Sequence, residues 1–201
     1  MIRSRSAVIT ATTVFTLSVG LAFVYQGRTA AQSTPGTTAQ SGSARVPSTD
    51  RAFMSKAAQG GLAEVQLGQL ATQQGSSDAV KQFGQRMVDD HTHANNELMQ
   101  VALQKQITLP KSLSKKDQNV KTRLSKLSGA AFDRAYMADM VKDHQLDIAD
   151  FQKEADSGQD PDVKAFAAKT LPTLKEHLTM AESVRAGKGM PDQSGASGTN
   201  N

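Results

Sequence analysis

Apolar residues recur along the central part of this 201-residue chain at intervals of three and four, and no stretch alternates apolar with polar over the length of a strand. The pattern predicts four long amphipathic helices and no sheet. The first starts at Asp50 as N-cap and runs to about Gln74, before Gly75-Ser76-Ser77, with Phe53, Ala57, Gly60, Glu64, Leu67 and Ala71 on its stripe. The second follows Ser77, carries Val80, Phe83, Met87, His91, Ala94, Leu98 and Val101, and ends near Gln106, ahead of Leu109-Pro110. The third spans about Ala130 to Asp156 with Met137, Met140, Val141, His144, Ile148 and Phe151, and stops at Ser157-Gly158. The fourth opens at Asp160-Pro161, an N-cap followed by Pro in the first helical position, and continues to about Ala186. Its stripe is Val163, Phe166, Thr170, Leu174, His177, Ala181 and Val184. A shorter helix opens at Ser114, where Ser114-x-x-Asp117 resembles a capping box, and closes at Ser128-Gly129. Four such stripes with short or medium connections make an all-α four-helix bundle with a short extra helix between the second and third long ones. Pro172, inside the last helix, predicts a kink, and Gly60-Gly61 predicts close approach of a neighbouring helix.

The ends of the chain read differently. Arg3 and Arg5 precede an apolar stretch from Ala7 to Val24, and Thr29 and Ala31 offer a small-residue cleavage site. Residues 1–31 are therefore expected to be a secretory signal or, uncleaved, an N-terminal anchor, the only segment through which the protein would meet a membrane. Residues 32–49 (QSTPGTTAQSGSARVPST) have too little apolar content to fold and are expected to be a disordered linker, and 187–201 a disordered tail. The folded domain is then 50–186. The formal charge of +4 changes meaning in this light. Arg3, Arg5 and Arg28 precede residue 32 and no acidic residue does, so the exported part is close to neutral. With no Trp and no basic cluster, nucleic-acid binding is not expected. The chain has no cysteine, which removes disulfides, thiolate metal sites and a lipoprotein anchor from consideration.

Each long stripe is interrupted once by a titratable residue: Glu64, His91, His144 and His177. All four lie near the midpoint of their helix, so in an antiparallel bundle they should share one level. Imidazoles and a carboxylate are ordinary ligands for Zn, Cu, Fe or Mn, and a bundle can hold one such ion between facing helices. Met87, Met140 and Met180 each stand one turn from a histidine, and thioethers there would suit copper; methionine is also common core filler. Asp90, Asp143 and Glu176 immediately precede the three histidines, which makes them either supporting partners of imidazoles on adjacent helices or solvated edge residues. The competing reading is a hydrogen-bonded polar layer that sets helix register and binds nothing. His93 falls off the stripe and should be exposed. The only acid-x-x-His is Asp90-x-x-His93, and no Glu-x-x-His occurs, which argues against a di-iron centre. No motif for nucleophilic catalysis is present, and no residue is assigned a catalytic role.

Several of these residues sit in runs with a family likeness. Gln59-Gly60-Gly61-Leu62-Ala63-Glu64-Val65, Met87-Val88-Asp89-Asp90-His91, Phe132-Asp133-x-x-Tyr136-Met137 with Asp143-His144, and Thr170-Leu171-Pro172-x-Leu174-x-x-His177-Leu178 resemble, in this order, the bacterial exported family called domain of unknown function 4142. The resemblance covers about Asp50 to Val184. It implies a ferritin-like four-helix bundle in the bacterial cell envelope, in the periplasm or at the outer membrane, and no established activity. The expectations are, in order, a metal-binding envelope module, a structural or stress-related envelope protein without a metal, and a ferritin-like oxidoreductase. Protein partners are not indicated.

Overall fold

The computed structural model describes residues 45–191. The expected signal segment 1–31, the linker up to residue 44 and the tail from 192 lie outside the described residues. Five helices make up the rest: α1 (Ser48–Gln74), α2 (Asp78–Gln104), α3 (Lys115–Leu124), α4 (Gly129–Ser157) and α5 (Pro161–Arg185). No strand occurs among the described residues. None of these helices is long and apolar enough to cross a membrane.

Side-chain ties at the helix ends define the topology. The backbone N–H groups of Gln159 and Asp160 donate to the Asp50 carboxylate (2.9 and 2.6 Å), and Lys105 pairs with Asp160 at 2.8 Å. The start of α1, the end of α2 and the α4–α5 turn therefore share one end of the bundle. At the other end, the Ser76 and Ser77 N–H groups (both 2.9 Å) and the Ser76 hydroxyl (2.6 Å) donate to Asp133 in the first turns of α4. Thus α1 and α5 run one way and α2 and α4 the other. The crossover from α2 to α4 carries α3 back along the outside, docked by buried Leu124 and by Lys121 donating to Gln66 on α1 (2.7 Å). This is the all-α, ferritin-like bundle with its extra helix.

Local chemistry moved several helix ends. Asp50 caps nothing in α1, which starts at Ser48 after Pro47. Its buried carboxylate instead serves the two N–H groups of the α4–α5 turn, because tertiary packing brings those orphan donors within its reach. Val46, expected in the linker, is buried in the core. The end of α2 comes at Gln104, before Pro110 has any part in it. Gln106 adopts the left-handed conformation (φ 57°), and Ile107 and Gln106 N–H groups bond back to Ala102 and Leu103 carbonyls in a Schellman turn. The tail begins in order too, since Gly187 (φ 73°) closes α5 the same way and Met190 packs on the core. The Ser114 cap forms as expected, accepting from Asp117 N–H at 3.2 Å. Gly61 leaves room for the Asn95 amide, since a Cβ there would lie 2.0 Å from Asn95 Oδ1 and turn that side chain away. Pro172 is exposed on the outer face of α5, which continues through it.

The core is divided in two. One apolar cluster, around Phe83, Met87, Phe132, Tyr136, Met140 and Met180, fills the α1–α2 turn end. The other, around Phe53, Met54, Leu98, Phe151, Phe166 and Leu174, fills the α4–α5 turn end. Between them lies a level of buried polar side chains.

Candidate metal centre

That level contains His91 from α2, His144 from α4 and His177 from α5, all buried, each offering a ring nitrogen within 4.8 Å of the others. The ring centroids are 5.2 to 5.8 Å apart. The hydrogen bonds around the rings determine which nitrogens carry protons. His144 Nδ1 lies 2.9 Å from the Met140 carbonyl, which can only accept, so the proton is on Nδ1 and Nε2 presents a lone pair. His177 Nε2 lies 2.8 Å from the Asp90 carboxylate. Asp90 stays ionised: burial works against its charge, but the hydrogen bonds from His177 and Arg86 outweigh that and hold its pKa below the usual range. His177 Nε2 therefore carries a proton and donates it to Asp90, and in the neutral ring Nδ1 presents a lone pair. His144 Nε2 and His177 Nδ1 lie 3.3 Å apart, joined by a hydrogen bond when His177 carries a second proton and meeting as two lone pairs when it is neutral. Two nitrogen ligands of one tetrahedral ion, with bonds of about 2.0–2.1 Å, stand about 3.3 Å apart. On the third ring, His91 Nε2 is buried and has no hydrogen-bond partner in the protein.

Burial keeps His91 and His144 neutral and able to bind a cation. Burial, reinforced by His177, lowers the His144 pKa to about 4. His91 is pushed well below the usual histidine range by burial, then by His177 and His144.

Glu64 joins the level but not the imidazole cluster. Its nearest approach is 4.0 Å, to His144 Nδ1, a nitrogen already committed to Met140. Both carboxylate oxygens are buried, and the neighbour they approach is another carboxylate, Asp143. Burial, then the charges of Asp143 and Asp147, raise the Glu64 pKa well above the carboxylate range. The acids that precede the histidines divide. Asp90 grips an imidazole on a neighbouring helix, whereas Asp143 binds Lys116 of α3 at 3.0 Å and Glu176 stands exposed, 4.0 Å from Arg86. Met87, Met140 and Met180 are all buried and, given the helix directions, all lie one turn from the histidines on the same side. His93 is exposed and pairs with Glu97.

Three participants were not read from the sequence. Arg86, one turn before Asp90, holds that carboxylate in place; its i,i+4 spacing was the available signal. Tyr136 is fully buried two turns before His144, its hydroxyl without a partner, and the Glu64 carboxylate adds to burial in raising its pKa. Asp147, one turn after His144, is pushed up to about 7 by burial and by Asp143.

The model of a family described as a domain of unknown function (DUF4142) matches residues 35–184. The chain belongs to this family. No curated protein matches it. Among solved structures, a fragment of a DUF305 protein from Deinococcus radiodurans is similar, with a TM-score of 0.63 over 70% of this chain and 97% of that one, at 13% identity. That likeness shows the bundle fold alone. This DUF4142 protein thus combines a known helical fold with three converging buried histidines.

Proposed function

We propose that this protein is a metal-binding bundle in which His91, His144 and His177 hold one divalent ion. The observation that carries the reading is the 3.3 Å approach of His144 Nε2 and His177 Nδ1, whose opposite ring nitrogens are engaged by Met140 and Asp90. With both rings neutral the two nitrogens present lone pairs to one space, and an ion there turns both into bonds. Asp90 bound to His177 is the carboxylate–histidine support found behind metal-ligating imidazoles, with Arg86 supporting the carboxylate in turn. A set of imidazoles with no carboxylate in the cluster favours Cu or Zn over Mn. Asp90 and Glu64 supply negative charge near the buried dication, Glu64 by ionising as the ion enters.

The alternative, a layer that only sets register, requires its polar groups to satisfy one another. Here His91 Nε2 and the Tyr136 hydroxyl are buried and lack protein partners. The Arg3/Arg5 start, the apolar stretch and the Ala31 site support export, and a thiol-free ligand set suits an oxidising compartment outside the cytoplasm.

The test is metal content and melting temperature of the purified protein with Cu, Zn, Fe and Mn, beside a His91→Ala, His144→Ala variant. One equivalent bound, with a rise in melting temperature that the variant loses, is the expected outcome. Full stability with no bound metal would return the histidines to a structural role.

A further inference from the structure

The two sides of the histidine level differ. Toward the α1–α2 turn it is covered by Met87, Met140 and Met180, with Phe83 and Tyr136 beyond, all buried. Toward the other end lies a small cavity of about 20 Å³, with His91 in its wall. It is lined from all four long helices at one level: Gly61 on α1, Asn95 and Leu98 on α2, Asp147 on α4, and Thr170 and Leu174 on α5. A space of that size holds about one water molecule. Gly61 and Asn95 shape its α1–α2 side, where the glycine leaves room for the amide. Asn95, Asp147 and Thr170 add polar atoms to walls that are otherwise apolar, with Phe151 and Phe166 among them.

Three histidines account for three positions of a four-coordinate ion. Glu64 does not supply the fourth, since its nearest approach is to His144 Nδ1, the nitrogen turned away from the cluster. We infer that the fourth position faces this cavity, which His91 lines, and is reserved for an exogenous Lewis base of one heavy atom, water when nothing else is present. The inference rests on the proposed metal site and deepens it: the protein is then a binding site for small molecules at a metal, not a closed structural one. The cavity sets the size limit. Water or fluoride fits in it; azide and a ring such as free imidazole do not.

The experiment uses the whole protein loaded with one equivalent of Co(II), read by its visible bands, and with Cu(II), read by water-proton relaxation. Saturable band shifts with fluoride, none with azide or imidazole, and relaxation showing one exchangeable inner-sphere water are expected. Ala57, like Thr170, stands in the cavity wall. Ala57→Leu, or Thr170→Ile should the first fail to fold, fills the cavity; either is expected to keep one equivalent of metal and lose the fluoride response. Metal bound at one equivalent with neither inner-sphere water nor fluoride shift would overturn the open position while leaving the metal site standing. A fluoride response that survives both cavity-filling changes, or an azide response of the unaltered protein, would overturn the cavity as the limit on what binds. No metal uptake by the unaltered protein would sink both readings.

Discussion

Asp90 and Arg86 need not touch an ion to govern its binding, because they select the tautomer of His177 and so the nitrogen it presents. Asp90→Asn is expected to weaken metal binding by about 10–100-fold, measured by calorimetric titration, with the helical content unchanged. Glu64 and His144 pull the stability of the metal-free protein in opposite directions with pH. For Glu64 the native pKa lies above its unfolded value of 4.5, so its favourable contribution is complete below that pH and is lost as pH rises toward the native value. For His144 the native value of about 4 lies below the unfolded 6.5, so its contribution is complete above 6.5 and is lost as pH falls to 4. Glu64→Gln keeps the shape and removes the first effect. Melting curves of that metal-free variant should match the unaltered protein near pH 4 and lie above it at pH 8; equal curves at pH 8 would contradict the buried, protonated carboxyl.

At the scale of helices, the joints matter more than propensity. Asp50 joins the first turn of α1 to the α4–α5 turn, and its loss leaves two N–H groups, one of them buried, without their acceptor. Asp50→Ala should cost about 1–3 kcal/mol in denaturant unfolding, more than an exposed N-cap would. The α1–α2 crossing depends on Gly68 and Gly84, where a Cβ on Gly84 would lie 2.8 Å from both the Gly68 carbonyl oxygen and Ala71 Cβ. Backbone cannot step aside as a side chain can, so Gly84→Ala should separate the helices and cost about 1–3 kcal/mol, read from the same unfolding curves. The helices themselves were legible in the sequence because period-3.6 stripes are local. Their ends were less so: the start of α1 and the stop of α2 depend on where Asp50 finds donors and on Gln106 adopting a left-handed turn.

Across the whole molecule, a polar level separates two apolar clusters, and it must cost stability when no ion is bound. Replacing Glu64, His91, His144 and His177 together by Gln, Leu, Phe and Leu should therefore give a metal-free protein that melts higher than the unaltered one and no longer responds to metal. Saturating metal should close that gap, since an ion at about 100 times its dissociation constant adds about 2.7 kcal/mol to the native state alone. A scan in which the apolar variant melts lower would mean that the polar level already stabilises the fold without an ion.

From its sequence alone the chain specifies an all-α bundle, the four helices, and one titratable residue midway along each stripe, because periodicity and position within a helix are one-dimensional properties. Only the tertiary structure decides which of those four side chains share an ion-sized space. Whether Glu64 sits with the histidines or beside Tyr136 and Asp143 depends on rotamers and on the angles at which helices cross. The same holds for Asp90 reaching His177 while Asp143 turns to Lys116 on α3. The two acids stand in identical local contexts, each just before a histidine, and only the neighbouring helix tells them apart.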